Sequence, residues 1–171
     1  MPLLKHNSLA IRTALPGDAP QLVAWWNDGT VMAHAGFPNG LGTTIEKEAP
    51  RLPGNRMIIL EENRPIGECN ARDTGGRVAE IGIKICETDC QNRGVGRIVL
   101  SMLIAHLFAA GFEKIILDTN LNNLRAQHVY ETLGFRKLRV NIDSWKHQLV
   151  RIQSSVDYEL LPADFIDFTK E

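Results

Sequence analysis

The alternation of apolar and polar residues divides the chain into short segments. Leu9–Ala14 alternates weakly and reads as a strand, closed by the turn Pro16-Gly17-Asp18. Asp18 is placed to cap a helix over Ala19–Asn27, where Leu22, Val23, Trp25 and Trp26 form an apolar face. Gly29–Pro53 is rich in Gly and Pro and predicts loop, with a short helix near Thr44–Leu52 started by Thr44. Met57–Glu61 and Pro65–Asp73 read as strands joined by a turn at Glu62-Asn63-Arg64. The clearest strand is Val78–Cys86: Ile81, Ile83 and Ile85 face one way, Glu80, Gly82 and Lys84 the other. A helix over Gly94–Ala110 stops at Gly111; a short buried strand, Lys114–Asp118, follows. A second helix, Asn123–Leu133, ends at Gly134, before late strands at Phe135–Val140 and Val156–Leu161. This order predicts one α/β domain over residues 1–171 with a mixed central sheet.

Composition narrows the partners. The chain has 171 residues, 44% hydrophobic and 23% charged, with net charge −1. That is ordinary globular composition, without the net basicity of a nucleic-acid binder. The longest apolar run, Ile98–Phe112, includes Ser101 and His106 and is too short to span a bilayer. The first residues read as no leader peptide, so the expectation is a cytoplasmic protein with neither membrane nor nucleic acid as partner. Cys69, Cys86 and Cys90 cannot all pair within one chain, and no fourth ligand has zinc-site spacing. They are expected as reduced thiols, with no metal.

The candidate chemistry begins at Gly94-Val95-Gly96, at the front of a helix. No Gly-Lys-Ser/Thr follows, as a nucleotide P-loop needs, and Val99 stands where a dinucleotide fingerprint has its third glycine. A helix N-terminus still offers free N–H groups and partial positive charge. With Arg93 and Arg97 flanking and Gln91 as a further donor, the backbone amides of Gly94 to Arg97 are suited to a pyrophosphate.

Gln91-Asn92-Arg93-Gly94-Val95-Gly96 resembles the Q/R-x-x-G-x-G/A signature of the Gcn5-related N-acetyltransferases (GNAT). Asn123 to Phe135 is similar to that family's N-x-x-A-x-x-x-Y-x-x-x-G-F pattern, in the right order with a strand between. The resemblance covers Leu9 to about Leu161 and is specific from Val78 to Phe135. The helix end Trp25-Trp26-Asn27-Asp28 is similar to the ribosomal-protein N-terminal branch. The resemblance implies a mixed, mostly antiparallel sheet with helices on both faces, and parallel middle strands, Val78–Cys86 and Lys114–Asp118, that splay apart. It implies acetyl-CoA as acetyl donor, with pantetheine along Ile85 and Cys86. The pyrophosphate would lie on Gln91, Arg93, Gly94, Val95, Gly96 and Arg97, and Asn123 would contact the cofactor or its loop.

The same resemblance implies roles in catalysis. Tyr130 matches the tyrosine near the thioester sulfur and is the expected proton donor to the leaving thiolate, with a phenolate that neighbouring cations stabilise. Glu80, eleven residues before Gln91, is the expected base. Asp118, twelve before Tyr130, is a second candidate base and an acceptor contact. Trp26 and Phe37, with the loop His34–Gly40, fall where the acceptor wall is built, and Trp145 is placed to border the same cleft. A base matters because a lysine-like amine is neutral in only about 1 part in 2,500 at pH 7, an α-amine in roughly 15%. The expected activity is therefore acetyl-CoA-dependent N-acetylation of a primary amine (a protein N-terminus, lysine, polyamine or small amine) by direct attack in a ternary complex. The alternative is a non-catalytic acyl-CoA sensor. A homodimer is compatible with either.

Overall fold

The computed structural model describes residues 3–170. Eight strands form one sheet: β1 (Leu4–His6), β2 (Leu9–Thr13), β3 (Arg56–Glu61), β4 (Arg64–Asp73), β5 (Val78–Ile85), β6 (Lys114–Asn120), β7 (Arg136–Lys146) and β8 (Ile152–Leu160), in the order β1-β2-β3-β4-β5-β6-β8-β7. The helices are α1 (Ala19–Asn27), α2 (Gly29–Met32), α3 (Ile45–Glu48), α4 (Val95–Ala109) and α5 (Leu124–Thr132). Among the described residues no helix is long and apolar enough to cross a membrane.

All neighbours in the sheet are antiparallel except β5 and β6. That parallel pair holds only from Val78↔Lys114 to Glu80↔Ile116. Beyond it β5 stays with β4 as far as Ile85, while β6 follows β8 to Asn120, so a wedge opens in mid-sheet. Parallel neighbours require a crossover, and α4 supplies it.

The two faces of the sheet differ as strand alternation dictates. One face carries Ile59, Ile81, Ile115, Leu117, Val156 and Tyr158 into the main core, where α4 buries Val99, Leu103 and Ile104, α5 buries Tyr130, and Leu133 just past α5 joins them. On the other face α1 covers only the β2–β4 end, packing Leu22, Trp25 and Trp26 on Ile58 and Leu60. From β5 to β7 that face is polar: the register sets Glu80 and Asp118 on the side of Asp157, Ser155 and Asn141.

Three sequence expectations change. Asp18 does not cap α1; its carboxylate accepts from both Arg12 guanidinium ends, at 2.7 and 2.8 Å, and from the Leu15 amide at 2.8 Å. Pairing with the Arg12 side chain at the end of β2 outcompetes the local cap. The late strands are much longer than the apolar pattern implied, because β7 is an exposed edge strand with two register shifts and little buried alternation to read. The edge strand β1, three residues long, was not anticipated. Thr44 and Asn123 do cap their helices, accepting from Lys47 and Ala126 amides.

Candidate active site

The β5–β6 wedge opens onto a cleft of about 1250 Å³ that also takes in the start of α4 and one side of α5. Gly94 turns the chain into α4 with φ of +77°, the left-handed region that glycine enters without Cβ strain. The first helical bond at this end runs from the Ile98 amide to the Gly94 carbonyl, so the Val95, Gly96 and Arg97 amides precede any intrahelical acceptor. Gly96 is different: its φ is not left-handed, and a Cβ there would meet nothing within 4 Å. Nothing inside the protein requires glycine at 96, so the vacated space is toward the cleft.

Two arginines deepen this anion character. Arg97 lines the cleft, has no carboxylate partner among the described residues, and keeps a buried Nε with no hydrogen-bond partner. Arg125, in the first turn of α5, donates to Asn92 Oδ1 at 2.9 Å and also lacks a carboxylate. Buried donors without acceptors are costly, and guanidinium groups pair best with phosphate or carboxylate oxygens. Free amides, an orphaned Nε–H and two unpaired arginines fit a phosphorylated ligand such as acetyl-CoA.

Deeper in the cleft stand Tyr130 and Asp118. The Tyr130 ring is locked edge-on between Phe135 and Tyr158, with centroids 5.9 and 5.8 Å away. Its hydroxyl has no hydrogen-bond partner among the described residues. Burial, and then the charge of Asp118, push its pKa up to about 12. The expected stabilisation of a phenolate by cations is therefore reversed: the nearest influential charge is negative. Asp118 opens to the cleft but is walled in by neighbouring strands. This partial desolvation, then the charges of Asp157 and Glu80, raise its pKa above the usual carboxylate range. Asp157 itself is held by Arg139 at 2.6 Å and Asn141 at 3.1 Å, whereas Asp118 has no ion pair among the described residues.

The far wall is clasped shut. The tip of the β7–β8 hairpin reaches the loop after α2: the Gln148 amide donates to the Gly36 carbonyl at 2.7 Å, and Gln148 Nε2 to the Gly40 carbonyl at 2.8 Å. Gln148 Oε1 accepts from the Asn39 amide at 2.8 Å. Trp145 lies so close to Gly36 that a Cβ there would sit 2.5 Å from its ring. His34, Ala35 and Trp145 line the cleft beneath this clasp.

The structure brings Ile85, Cys86, Gln91, Gly94, Val95, Gly96, Arg97, Asn123, Asp118 and Tyr130 to one cleft. Gln91 spends its amide on the Ile85 carbonyl at 2.9 Å, bracing the loop against β5. Arg93 is not in the lining; Glu61 holds it at 3.2 Å. Glu80 pairs with Arg72 across the β4–β5 ladder and lines a smaller neighbouring cavity of about 360 Å³. Trp26 also lines that cavity; its indole donates to the buried Glu68 at 2.8 Å, and Arg56 lies over its ring. Phe37 packs against the α1 cluster rather than lining the cleft. Arg125, Asp157 and Gln148 were not singled out from sequence. Arg125 lies inside the second motif and could have been found there as an unopposed charge. The other two depend on hairpin register and carried no local signal.

The sequence model of the acetyltransferase (GNAT) family matches residues 33–135, more than half of the chain. Mycothiol acetyltransferase of Cellulomonas flavigena is 34% identical over 68 residues, which are 40% of this chain and 20% of that protein; the chain thus matches about a fifth of its length. A GNAT-family acetyltransferase from Bacillus anthracis superposes with a TM-score of 0.81 at 20% identity, covering 94% of this chain and 98% of the other. Spermidine N-acetyltransferase from Vibrio cholerae, in complex with CoA and spermine, superposes with a TM-score of 0.80 at 20% identity over 92% and 98%. The structural likenesses carry the fold, the matched segment contains both glycine loop and tyrosine motif, and the chain belongs to the GNAT acetyltransferase family.

Proposed function

We propose that this protein is an acetyl-CoA-dependent N-acetyltransferase that acetylates a primary amine by direct attack within a ternary complex. The observation that carries the reading is the β5–β6 wedge, which gathers an anion-ready helix start, an unpartnered phenol and an unpaired carboxylate in one cleft. Bound acetyl-CoA would supply the activated acetyl thioester. The Val95, Gly96 and Arg97 amides and the Arg97 and Arg125 side chains hold its phosphates, with Gln91 and Arg93 bracing the loop. Ile85 and Cys86 border the pantetheine path, and Asn123 fixes the start of α5.

Asp118 is the base in this reading, in place of Glu80. A general base works best with a pKa near the working pH, and Asp118 is shifted in that direction while facing the cleft. Glu80 is committed to Arg72 and contributes its charge to that shift. Tyr130 donates a hydrogen bond to the sulfur as the thiolate leaves. Burial pushes the Cys86 thiol up to about 12, so it stays protonated and is no nucleophile, which favours direct transfer. Asp118 also favours cationic amines over neutral acceptors in the cleft. Three free, buried thiols suit a reducing, cytoplasmic setting.

The test is thiol release from acetyl-CoA across free peptide N-termini, lysine peptides, polyamines and aminoglycosides. Release with one class, above the acceptor-free rate, is the expected result. CoA binding without release for any amine would overturn the catalytic reading in favour of a sensor.

A further inference from the structure

Both family-like motifs end well before the carboxy terminus, yet the last segment is firmly placed. The Ile166 amide donates to the Leu133 carbonyl at 3.0 Å, and Phe165 packs edge-on against Phe108 of α4 at 5.8 Å. The Phe168 amide donates to Ser101 Oγ at 3.1 Å, and Ser101 is fully buried. Ser101 lies one helical turn beyond Arg97, so this bond delivers the Phe168 ring to the first turn of α4. There the ring lies under the Arg97 guanidinium, with Cζ 4.2 Å from its centroid.

Arg97 is unusual among the arginines of the chain. Of twelve, nine have a carboxylate partner; Arg97, Arg125 and Arg151 have none among the described residues. Instead of a counter-charge, Arg97 has an aromatic face on one side and the cleft on the other. A ring holds a guanidinium by its quadrupole without neutralising it. The arrangement orders the charge while leaving its N–H groups for an incoming anion.

We infer that Phe168 is a positioning residue of the cofactor site: the carboxy-terminal segment fixes Arg97 for the phosphates of the acyl donor. The inference rests on the acetyl-CoA reading above. It means that donor affinity depends on a segment that touches neither the thioester nor the acceptor. Removing the π face lets the guanidinium swing, and binding then costs the ordering that Phe168 had already supplied.

The experiment is calorimetric binding of CoA to the full chain and to Phe168→Leu, Phe168→Trp, Arg97→Met and the Phe168→Leu/Arg97→Met pair. Phe168→Leu keeps apolar bulk and should weaken CoA about 3- to 10-fold, in the range of a cation–π contact. Phe168→Trp keeps a π face and should stay within about twofold of the parent. In the Arg97→Met background the Leu substitution should change affinity by less than about twofold. A purely structural role would be rescued equally by Leu and Trp, and would persist without Arg97. Any loss of packing is shared by both backgrounds, so the cycle stays readable even where melting temperatures fall. Unchanged affinity in Phe168→Leu, or the same loss with Arg97 absent, overturns this inference alone. Failure of the unmodified protein to bind CoA overturns the functional reading and this inference with it.

Discussion

Tyr130→Phe removes one oxygen from the cleft and nothing else. The ring's edge contacts with Phe135 and Tyr158 remain, and no protein hydrogen bond is lost among the described residues. Stability should therefore hold within about 0.5 kcal/mol. The kinetic effect depends on what the hydroxyl does. With the phenol at about 12 and a thiol at about 8.5, full proton transfer to the thiolate is uphill by about 3.5 units, or about 5 kcal/mol. That is steep for a step that solvent can perform after the bond breaks. A hydrogen bond to a charged acceptor contributes about 1.5–3 kcal/mol, which corresponds to a rate loss of about 10- to 150-fold. The structure thus favours a hydrogen-bond donor that stays protonated, over an acid that delivers its proton in the transition state. The assay is steady-state thiol release, with CoA affinity by calorimetry and a pH profile to about pH 10. The rate should fall within that range, affinity should change little, and neither enzyme should lose activity through phenol ionisation below about pH 10. Full activity in a folded Tyr130→Phe enzyme would refute the hydrogen bond. A phenolate-dependent fall below pH 10 would refute the buried, raised phenol.

Asp118→Asn should lower turnover at neutral pH at least tenfold, while Glu80→Gln lowers it far less; equal losses would return the base role to Glu80. The same variant has a stability signature. The folded pKa of Asp118 is raised, so its contribution is fully present below the unfolded value of about 3.9 and is lost as pH rises through the folded one. Asp118→Asn should melt higher than the parent at pH 7 and lose that advantage near pH 3. Gly96→Ala should fold normally, since a Cβ there meets open space, yet weaken CoA by calorimetry; Gly96→Asp, adding an anion, should weaken it much further. Gln148→Ala removes the two side-chain hydrogen bonds of the clasp and should raise the acceptor KM with CoA affinity unchanged; an unaltered KM would show that the clasp lies outside the acceptor path.

The donor half of the cleft was legible in sequence because it is local. Gly94, Gly96, Gln91 and Arg97 lie within seven residues, and a helix start has the same free amides wherever it occurs. Tyr130 follows Asn123 by two helical turns, so the cap at Asn123 fixes which way the phenol points. The acceptor half is made of pairings between distant strands. Asp157 stands beside Asp118 only through the β6–β8 register, and Gln148 meets Gly36 only because the β7–β8 hairpin is long enough to reach it. A one-residue slip in β8 would send the Asp157 side chain to the opposite face.

Glu80 and Asp118 show how far alternation carries. Period-two reading places both on the polar face, and the register agrees for both. It does not say what stands on the next strand. Arg72 lies directly opposite Glu80 on β4 and takes its charge, whereas the residue opposite Asp118 on β8 is another aspartate, which repels it. One carboxylate is ion-paired; the other is pushed toward holding a proton, by burial first and then by Asp157, although nothing in their own segments distinguishes them. In the proposed reading the base is thus set by its burial and its cross-strand neighbour more than by its spacing from the glycine loop. Exchanging the neighbours gives a direct check: Asp157→Asn should bring the Asp118 pKa down, and the acidic limb of the pH–rate profile should move to lower pH. An acidic limb that stays in place would assign it to a group other than Asp118.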